Sequence, residues 1–281
     1  MDKVIVFTDI HLLGDGGTII GLDPAAKFAQ GLAHALAHHP DAAQIVIAGD
    51  LAHTGQRPEY QRLAECLARC PLPVNLMMGN HDRRAPFLSV FTDTPLTAQG
   101  HVQQVVDLGD TRLILLDTLD EDAPDVHSGY LCDARLDWLD ARLQEARRAH
   151  QRVIVFTHHP PMPTGFAGMD SIGLRNRAAL VARLTASGGV AQIVSGHIHR
   201  TISGSAGGIP TAMFKSTCHQ MPMLLNDAAH SLSIDEPGAY GVLLLHPDGI
   251  IVHSEDFTLP QALVDRRDSN PEHHLKAQIT P

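Results

Sequence analysis

Polar side chains that can bind metal ions follow five apolar stretches of the sequence. Each stretch predicts a buried strand, and each ends in Asp, Asn or His residues. The five strand ends are Asp9-Ile10-His11, Gly49-Asp50, Met78–Asp82, His158-His159 and Gly196–His199. A buried polar cluster lowers stability unless a partner compensates it. Because a shared cation can compensate all five groups, the pattern favours a metal site.

The composition limits the partners and the compartment of the protein. Of the 281 residues, 44% are hydrophobic. The chain has 21 Lys and Arg residues and 31 Asp and Glu residues, which gives a formal net charge of -10. That charge disfavours a nucleic-acid polymer or an anionic membrane as partner, although a bound metal can still attract a small phosphate ester. The four Cys form no CxxC pair, and no apolar run has the length of a membrane span or a signal peptide. We therefore expect a cytoplasmic protein with reduced thiols.

The first third of the chain alternates predicted strands and helices. Val4–Thr8, Gln44–Ala48 and Val74–Met78 are apolar enough to be strands buried on both faces. One helix is expected to begin at Asp23-Pro24, with Asp as N-cap, and another to span Pro58–Arg69. This alternation predicts a parallel sheet, whose ligand-binding groups lie at the carboxyl ends of its strands.

The remainder predicts a second sheet and further helices. The expected elements are a hairpin of His101–Leu108 and Arg112–Leu116, a helix over Asp133–His150, a strand over Arg152–Thr157, a helix over Asn176–Ala186, and strands over Gln192–Ser195, Thr211–Ser216, Gly241–Leu245 and Ile250–Val252. Together they predict an α/β fold, a four-layer αββα sandwich of two mixed sheets. We expect one domain over residues 1–257, in which 218–236 form a cap or an oligomer contact, and a polar tail over 258–281.

The residue types suit hydrolysis of a phosphodiester. Phosphodiesters react slowly with water because the anion repels the nucleophile and the alkoxide is a poor leaving group. Two metal ions about 3.5–4 Å apart can hold the phosphate and place a hydroxide in line for attack. Mixed imidazole and carboxylate ligands suit Fe, Mn, Zn or Co rather than Mg alone. The expected cofactor is therefore a pair of divalent or mixed-valence transition-metal ions.

The motifs resemble those of the calcineurin-like metallophosphoesterases. Five motifs occur in family order, from D-x-H at Asp9 to G-H-x-H ending at His199. Within the superfamily, Gly49–Gly55 and Ser216–Gln220 resemble the bacterial branch of class III cyclic-nucleotide phosphodiesterases and glycerophosphodiesterases. The Ser/Thr protein phosphatases carry Asp-Arg-Gly after the second Asp and end the third motif in Glu, where this chain has Leu-Ala-His and Asp. Protein phosphatase activity is therefore not expected.

The resemblance implies a set of ligands for each ion. It assigns Asp9, His11 and His199 to the first ion, Asn80, His158 and His197 to the second, and Asp50 to both. A bridging carboxylate would offset the repulsion between two cations. The neutral amide of Asn80 would leave the second ion more electrophilic and more weakly held.

His81 follows a ligand but is expected to face the phosphate instead. By resemblance it stabilises charge in the transition state or protonates the leaving group, and Asp82 would orient its ring.

Other side chains are open to two interpretations. His219 either contacts substrate or is a packed, hydrogen-bonded histidine, and Ser128 is a further candidate for a substrate contact. His159 points away from His158 and is expected to be structural. The histidines expected to be solvated on helices or loops are His34, His38, His39 and His53.

The predicted function is hydrolysis of small phosphodiesters, such as cyclic nucleotides or glycerophosphodiesters, by a metal-bound hydroxide. The alternatives are a phosphomonoesterase that acts on nucleotides or other small phosphate esters, and a non-catalytic binding module. The second alternative is disfavoured because all seven ligand positions hold competent residues. Substrate identity would depend on the loops Leu12–Leu22, Pro163–Ser171 and Cys218–Glu236. We expect a homo-oligomer, as a dimer.

Overall fold

In the part of the chain that the structure describes, eleven strands form two sheets that pack face to face, accompanied by six helices. The computed structural model describes residues 2–14, 16–123, 125, 127–226 and 228–259. In chain order the elements are β1 Asp2–Phe7, α1 Pro24–His38, β2 Gln44–Ile47, α2 Arg57–Leu67, β3 Val74–Leu76, α3 Arg84–Leu88, β4 Gln104–Leu108, β5 Thr111–Leu115, α4 Asp133–Arg148, β6 Arg152–Thr157, α5 Ala167–Ser171, α6 Arg177–Ser187, β7 Val190–Ser195, β8 Ile202–Ala206, β9 Ile209–Met213, β10 Tyr240–His246 and β11 Gly249–Glu255. Apart from residues 258 and 259, the predicted polar tail lies outside the described residues.

Both sheets are mixed, as predicted. The first has the strand order β11-β10-β1-β2-β3, in which β1, β2 and β3 are parallel and β10 and β11 are antiparallel additions. The second has the order β4-β5-β6-β7-β9-β8, with parallel strands in the centre and an antiparallel strand at each edge. In the first sheet, Val6 of β1 lies opposite Val46 of β2 and Gly241 of β10.

The first sheet is buried on both faces because alternate side chains of β1 enter different cores. Val4 and Val6 pack between the two sheets, in one cluster with Phe156 of the second sheet. Ile5 and Phe7 face the helices instead and pack in the cluster of α1. A strand with apolar residues at every position therefore suits the centre of a layered sandwich.

The second sheet repeats this arrangement. Ile154 of β6 points into the core between the sheets, whereas Val153 and Val155 pack with Leu136 and Leu139 of α4. Helices thus cover the outer face of each sheet, and the predicted four-layer sandwich is confirmed. Within the described ranges, every helix is too short or too polar to cross a membrane.

The sequence pattern does not predict α3, α5 and β8. The two helices have five residues each, too few for a helical periodicity to be visible. Strand β8 reads Ile-Ser-Gly-Ser-Ala, which has low β propensity, and it is ordered by pairing with β9.

The N-cap of α1 provides a test of the fold. The carboxylate of Asp23 accepts hydrogen bonds from the backbone N–H groups of Ala25 at 2.9 Å and Ala26 at 3.2 Å. We expect Asp23→Ala to lower the free energy of unfolding by about 1 kcal/mol, because both donors lose their partner. Urea unfolding followed by circular dichroism measures this change. The matched control is Asp23→Asn, which keeps the cap; an equal loss in both variants would contradict the hydrogen-bond explanation.

Candidate metal centre

The carboxyl ends of five parallel strands meet at one edge of the sandwich and carry the predicted ligands. Asp9 and His11 follow β1, Asp50 follows β2, Asn80 follows β3, His158 follows β6, and His197 and His199 follow β7. All seven side chains are buried. Since the strands come from both sheets, the site lies where the two sheets converge.

Asp9, His11, Asp50 and His199 form the first group. Each offers a ligand atom, and these atoms all lie within 4.8 Å of one another. Nε2 of His199 is 3.1 Å from Nε2 of His11 and 3.3 Å from Oδ1 of Asp9. The structure therefore brings together the three residues expected to bind the first ion.

Asn80, His158 and His197 form the second group. Oδ1 of Asn80 lies 3.1 Å from Nε2 of His158 and 2.9 Å from Nδ1 of His197. One oxygen of Asp50 joins the groups, since Oδ2 is 3.5 Å from Nε2 of His11 and 3.4 Å from Nε2 of His158. Asp50 thus occupies the position expected of a shared ligand.

Strained backbone conformations accompany the ligands. Five of the seven ligand positions have left-handed φ angles, namely Asp9 at 53°, His11 at 46°, Asp50 at 50°, His197 at 72° and His199 at 53°. Non-glycine residues adopt this region at a cost of roughly 1–2 kcal/mol each, and such residues concentrate at functional sites. The chain turns sharply at each strand end so that the side chains face a common point.

Two glycines allow the strand ends to approach one another. A Cβ added to Gly79 would lie 2.2 Å from Oδ1 of Asp50, and one added to Gly49 would lie 2.5 Å from Nδ1 of His158. Any side chain at these positions would displace a predicted ligand. The glycines of the two motifs are therefore required by close packing around Asp50.

Hydrogen bonds on the outer side orient several ligand imidazoles. Nδ1 of His158 contacts the carbonyl of Ala48 at 2.9 Å, and Nδ1 of His199 contacts the carbonyl of His219 at 3.0 Å. Because a carbonyl only accepts, each Nδ1 must carry the proton and donate. In both rings Nε2 is then the nitrogen that faces the other predicted ligands, an arrangement typical of metal-binding histidines.

The buried carboxylates of the site need positive charge beside them to be stable. Burial raises the pKa of Asp50, but the neighbouring imidazoles, His158 first and then His81 and His11, together outweigh that effect and hold the pKa well below its usual value. Burial lowers the pKa of His158, and the Asp50 carboxylate reverses this and raises it to about 9. In the described part of the chain, no Lys or Arg pairs with Asp9 or Asp50. Protonated histidines therefore supply the positive charge that metal ions could provide.

Other imidazoles are already in the form that binds metal. Burial lowers the pKa of His11 and of His197 well below the usual value, so both are neutral. Neutral imidazole is the ligand form, and the mixture of carboxylate, amide and imidazole donors suits Fe, Mn, Zn or Co. Nε2 of His197 is buried and has no hydrogen-bond partner among the described residues. The donor set therefore fits the transition-metal pair expected from the sequence.

His81 faces the cavity above the ligands and is held from behind. Its Nδ1 lies 2.7 Å from the carbonyl oxygen of His53, so Nδ1–H donates there. Its backbone N–H donates to Oδ1 of Asp50 at 2.8 Å. Only Nε2 of His81 is left to act on a bound molecule.

The expectation that Asp82 orients the His81 ring is wrong. The Asp82 carboxylate accepts hydrogen bonds from the N–H groups of Gly79 at 2.8 Å, Leu51 at 3.2 Å and Ala52 at 3.1 Å, and from the hydroxyl of Tyr60 at 3.1 Å. Asp82 is fully buried beneath the loops and joins the ends of β2 and β3. The chain turns here, with the backbone N–H of Asp82 donating to the carbonyl of Gly79 at 3.3 Å, and both carboxylate oxygens of Asp82 are already engaged by these other donors.

The prediction that Ser128 contacts the substrate is also wrong. Its hydroxyl is buried and lies 2.8 and 2.7 Å from the two carboxylate oxygens of Asp125. The preceding residue, His127, lines the cavity instead. A side chain that is held by a local turn is not available to a ligand.

His219 reaches the cavity, as one of its two interpretations expects. Its ring centroid lies 4.7 Å from that of His199 and 5.2 Å from that of His11. Burial lowers the pKa of His219 to about 3, so the ring is neutral. Its Nδ1 is buried with no hydrogen-bond partner among the described residues.

His53 is a site residue that the sequence interpretation missed. It was expected to be solvated, but it is half-buried and lines the cavity. Its Nδ1 lies 3.5 Å from Nδ1 of His11, and its ring stacks on His81 with centroids 5.4 Å apart. The only signal in the sequence is its position three residues after Asp50.

By contrast, both ring nitrogens of His159 contact protein. One lies near the hydroxyl of Thr118 and the other near the carbonyl of His127, which agrees with the predicted structural role.

A cavity of about 420 Å³ opens onto both ligand groups. Its walls include parts of the three loops expected to determine the substrate, with Ile20 from the first, Met169 from the second and Met221 from the third. Among the described residues that line it, there is no Lys or Arg. The described lining therefore offers an anion imidazoles, hydroxyls and the Asn80 amide but no permanently charged side chain, unless a cation is bound.

Comparison with known proteins agrees with this geometry. A sequence profile of the calcineurin-like phosphoesterase family matches residues 2–201. A probable cyclic nucleotide phosphodiesterase of Rhodopseudomonas palustris is 38% identical over 273 residues, covering 97% of this chain and 99% of that protein. The 3′,5′-cyclic adenosine monophosphate phosphodiesterase CpdA of Pseudomonas aeruginosa is 31% identical, covering 88% of this chain and 86% of its own length.

A solved structure with the same fold is also found. The crystal structure of a dimetal phosphatase of Danio rerio matches with a TM-score of 0.65 and 17% identity, covering 92% of this chain and 96% of that one. At this identity the likeness shows the fold alone. The family profile covers most of the chain, and it confirms the resemblance found in the motifs. The chain therefore belongs to the calcineurin-like phosphoesterases and is a hydrolase of that family.

Proposed function

We propose that this protein hydrolyses small phosphodiesters, with cyclic nucleotides as the substrate class, at a centre of two transition-metal ions. The supporting observation is the convergence of seven buried donors, five of which line a cavity whose described lining has no Lys or Arg. A phosphate anion that enters beside two buried carboxylates is repelled unless cations are present. The names of the two bacterial relatives support the substrate class.

Each ion would have its own ligands. Asp9, His11 and His199 would hold the first ion, Asn80, His158 and His197 would hold the second, and Asp50 would be shared. Ions bound there supply Lewis acidity to the phosphate and make water a stronger nucleophile. We expect Fe, Mn, Zn or Co, since the donors are of both nitrogen and oxygen type.

The chain itself supplies orientation and a proton. His81 projects Nε2 into the cavity while its Nδ1 is bound to the carbonyl of His53, so the ring cannot turn away. A protonated His81 would donate from Nε2 to the departing alkoxide oxygen, which improves a poor leaving group.

The rest of the molecule suits a small substrate. The net charge of -10 disfavours a nucleic-acid polymer, and the cavity size matches a small ligand. We also propose a cytoplasmic location and a homodimer, with residues 218–236 at the mouth of the cavity or in a contact with the second subunit.

The reaction class is tested by comparing substrates. Purified protein loaded in turn with Mn, Fe, Zn or Co is assayed with cyclic AMP, glycerophosphocholine and 5′-AMP, and products are separated by chromatography. We expect cyclic AMP to be converted to AMP faster than 5′-AMP is converted to adenosine. Faster hydrolysis of the monoester would favour the phosphomonoesterase alternative. Preference for glycerophosphocholine would move the substrate class to glycerophosphodiesters.

Asp50→Ala should remove the ligand that both ions share. We expect lower metal content and a loss of turnover to background, because each site loses a donor and the repulsion between two cations is no longer offset. Elemental analysis after dialysis measures bound metal, and the control is Asp41→Ala, at an exposed carboxylate paired only with Lys3. Unchanged metal stoichiometry in Asp50→Ala would contradict the bridging position.

His81→Ala should separate proton transfer from metal binding. We expect both metals to be retained and turnover of cyclic AMP to fall by roughly 10²–10⁴-fold, as when a general acid is removed. A substrate with a good leaving group, such as a nitrophenyl diester, should lose less because it needs no proton. The control is His253→Ala, at an exposed histidine of β11. Loss of metal in His81→Ala would show that the ring is a ligand instead.

A further inference from the structure

A tight turn at the mouth of the cavity carries an unusual residue. Ile19 and Leu22 exchange both backbone hydrogen bonds at 2.9 Å, and the two residues between them have positive φ, 48° at Ile20 and 85° at Gly21. Positive φ at both central positions is typical of a type I′ turn, in which the first central residue is usually Asn, Asp or Gly. Here that position holds a β-branched isoleucine.

Isoleucine at this position destabilises the fold in two ways. The left-handed region is unfavourable for a β-branched residue, whose Cβ substituents crowd the backbone. The side chain is also 50% exposed, so water contacts much of its apolar surface. In the described part of the chain, Ile20 belongs to none of the apolar core clusters. Among the described residues, no packing in an apolar core thus compensates either cost.

Ile20 lines the cavity that contains the candidate metal centre. Five other apolar side chains line the cavity with it, and we call this set the apolar mouth: Ile19 of the same loop, Met169 of α5, Ile172 directly after α5, and Met221 and Leu232 of the third loop. Leu232 is itself 40% exposed. The predicted ligand groups contribute His, Asp and Asn side chains to the same cavity, and we call these its polar floor. The cavity therefore has a polar floor and an apolar mouth.

The loop opposite Ile20 is anchored to the rest of the protein. Gln220 and Ile234 pair as a bridge at its base, and Arg200 both donates to the carbonyl of Met221 and pairs with Glu236. At its far side, a Cβ on Gly168 would lie 2.2 Å from the carbonyl oxygen of Ala229, so the loop packs directly on α5. These contacts fix the apolar mouth in place before a ligand enters.

The lining of the mouth matches a flat heteroaromatic group. Apolar side chains can cover the two faces of a ring, and Ser231, Ser233 and His230, which also line the cavity, can hydrogen-bond to its edge. A glycerol group would leave the apolar surfaces without a partner. A choline group would meet neither a carboxylate nor a Trp, Tyr or Phe face among the described lining residues of the mouth.

We infer that the apolar mouth around Ile20 is a binding subsite for the base of a cyclic nucleotide, whose phosphate lies at the ligand groups. The inference rests on the proposed function and adds that the base, and not only the cyclic phosphate, is recognised. The cost of Ile20 in the free protein is then offset when the base covers its side chain.

The test uses Ile20→Asn, which places the preferred residue in the turn and removes the apolar contact. We expect the melting temperature to rise by about 2 °C, because strain and exposed apolar surface are both removed. We expect kcat/KM for cyclic AMP to fall about tenfold, mainly through KM. Hydrolysis of the same ribose cyclic phosphate without its base should be unchanged. The matched control is Ile251→Asn, at an isoleucine of β11 that is 44% exposed and does not line the cavity.

The outcomes separate this inference from the proposed function. If the unaltered protein hydrolyses both cyclic phosphates with equal kcat/KM, the phosphodiesterase stands and the base subsite is wrong. If Ile20→Asn slows both substrates equally, Ile20 supports the whole site and does not recognise the base, which also overturns the inference. If neither cyclic phosphate is hydrolysed by the metal-loaded protein, the proposed function itself fails, and the inference fails with it.

Discussion

The arrangement of Asp50 is the constraint on which the site depends. Its carboxylate is buried between two groups of histidines and is not paired with Lys or Arg among the described residues. A buried carboxylate is strongly destabilising without a cation beside it, so this region of the fold stays compact only if protons or metal ions supply the charge. Gly49 and Gly79 bring the neighbouring strand ends so close to Asp50 and His158 that the carboxylate has no alternative position.

The layered fold makes this arrangement possible. Strands that are buried on both faces form a rigid support, and their ends can therefore carry left-handed residues without unfolding. The same two sheets approach each other at one edge, where loops from β1 and β2 meet loops from β6 and β7. Neither sheet contains the full set of donors, so binding of a metal pair would also join the sheets. Metal binding and stability are then coupled.

The cavity combines two kinds of recognition. Its floor consists of polar donors that are positioned by strand ends and are hard to move. Its mouth consists of apolar side chains on loops, such as Ile20 and Leu232, which remain partly exposed in the free protein. Chemistry at the floor is set by the shared fold of the family, whereas the loops are free to differ between relatives. We accordingly expect the loops to determine substrate choice.

The sequence by itself predicted every described strand except β8, the order of the motifs and the convergence of the five strand ends, because polar groups at the ends of buried parallel strands must meet at one edge of a sheet. The resemblance carried by those motifs predicted the seven donor residues. The sequence did not determine the contacts made by neighbouring side chains. His81 was expected to be oriented by Asp82, yet its partner is the carbonyl of His53, and His127 rather than Ser128 lines the cavity. These contacts depend on how loops from distant parts of the chain pack together. A backbone carbonyl has no residue type, and a one-residue turn reverses the direction of a side chain, so only the tertiary structure could decide them.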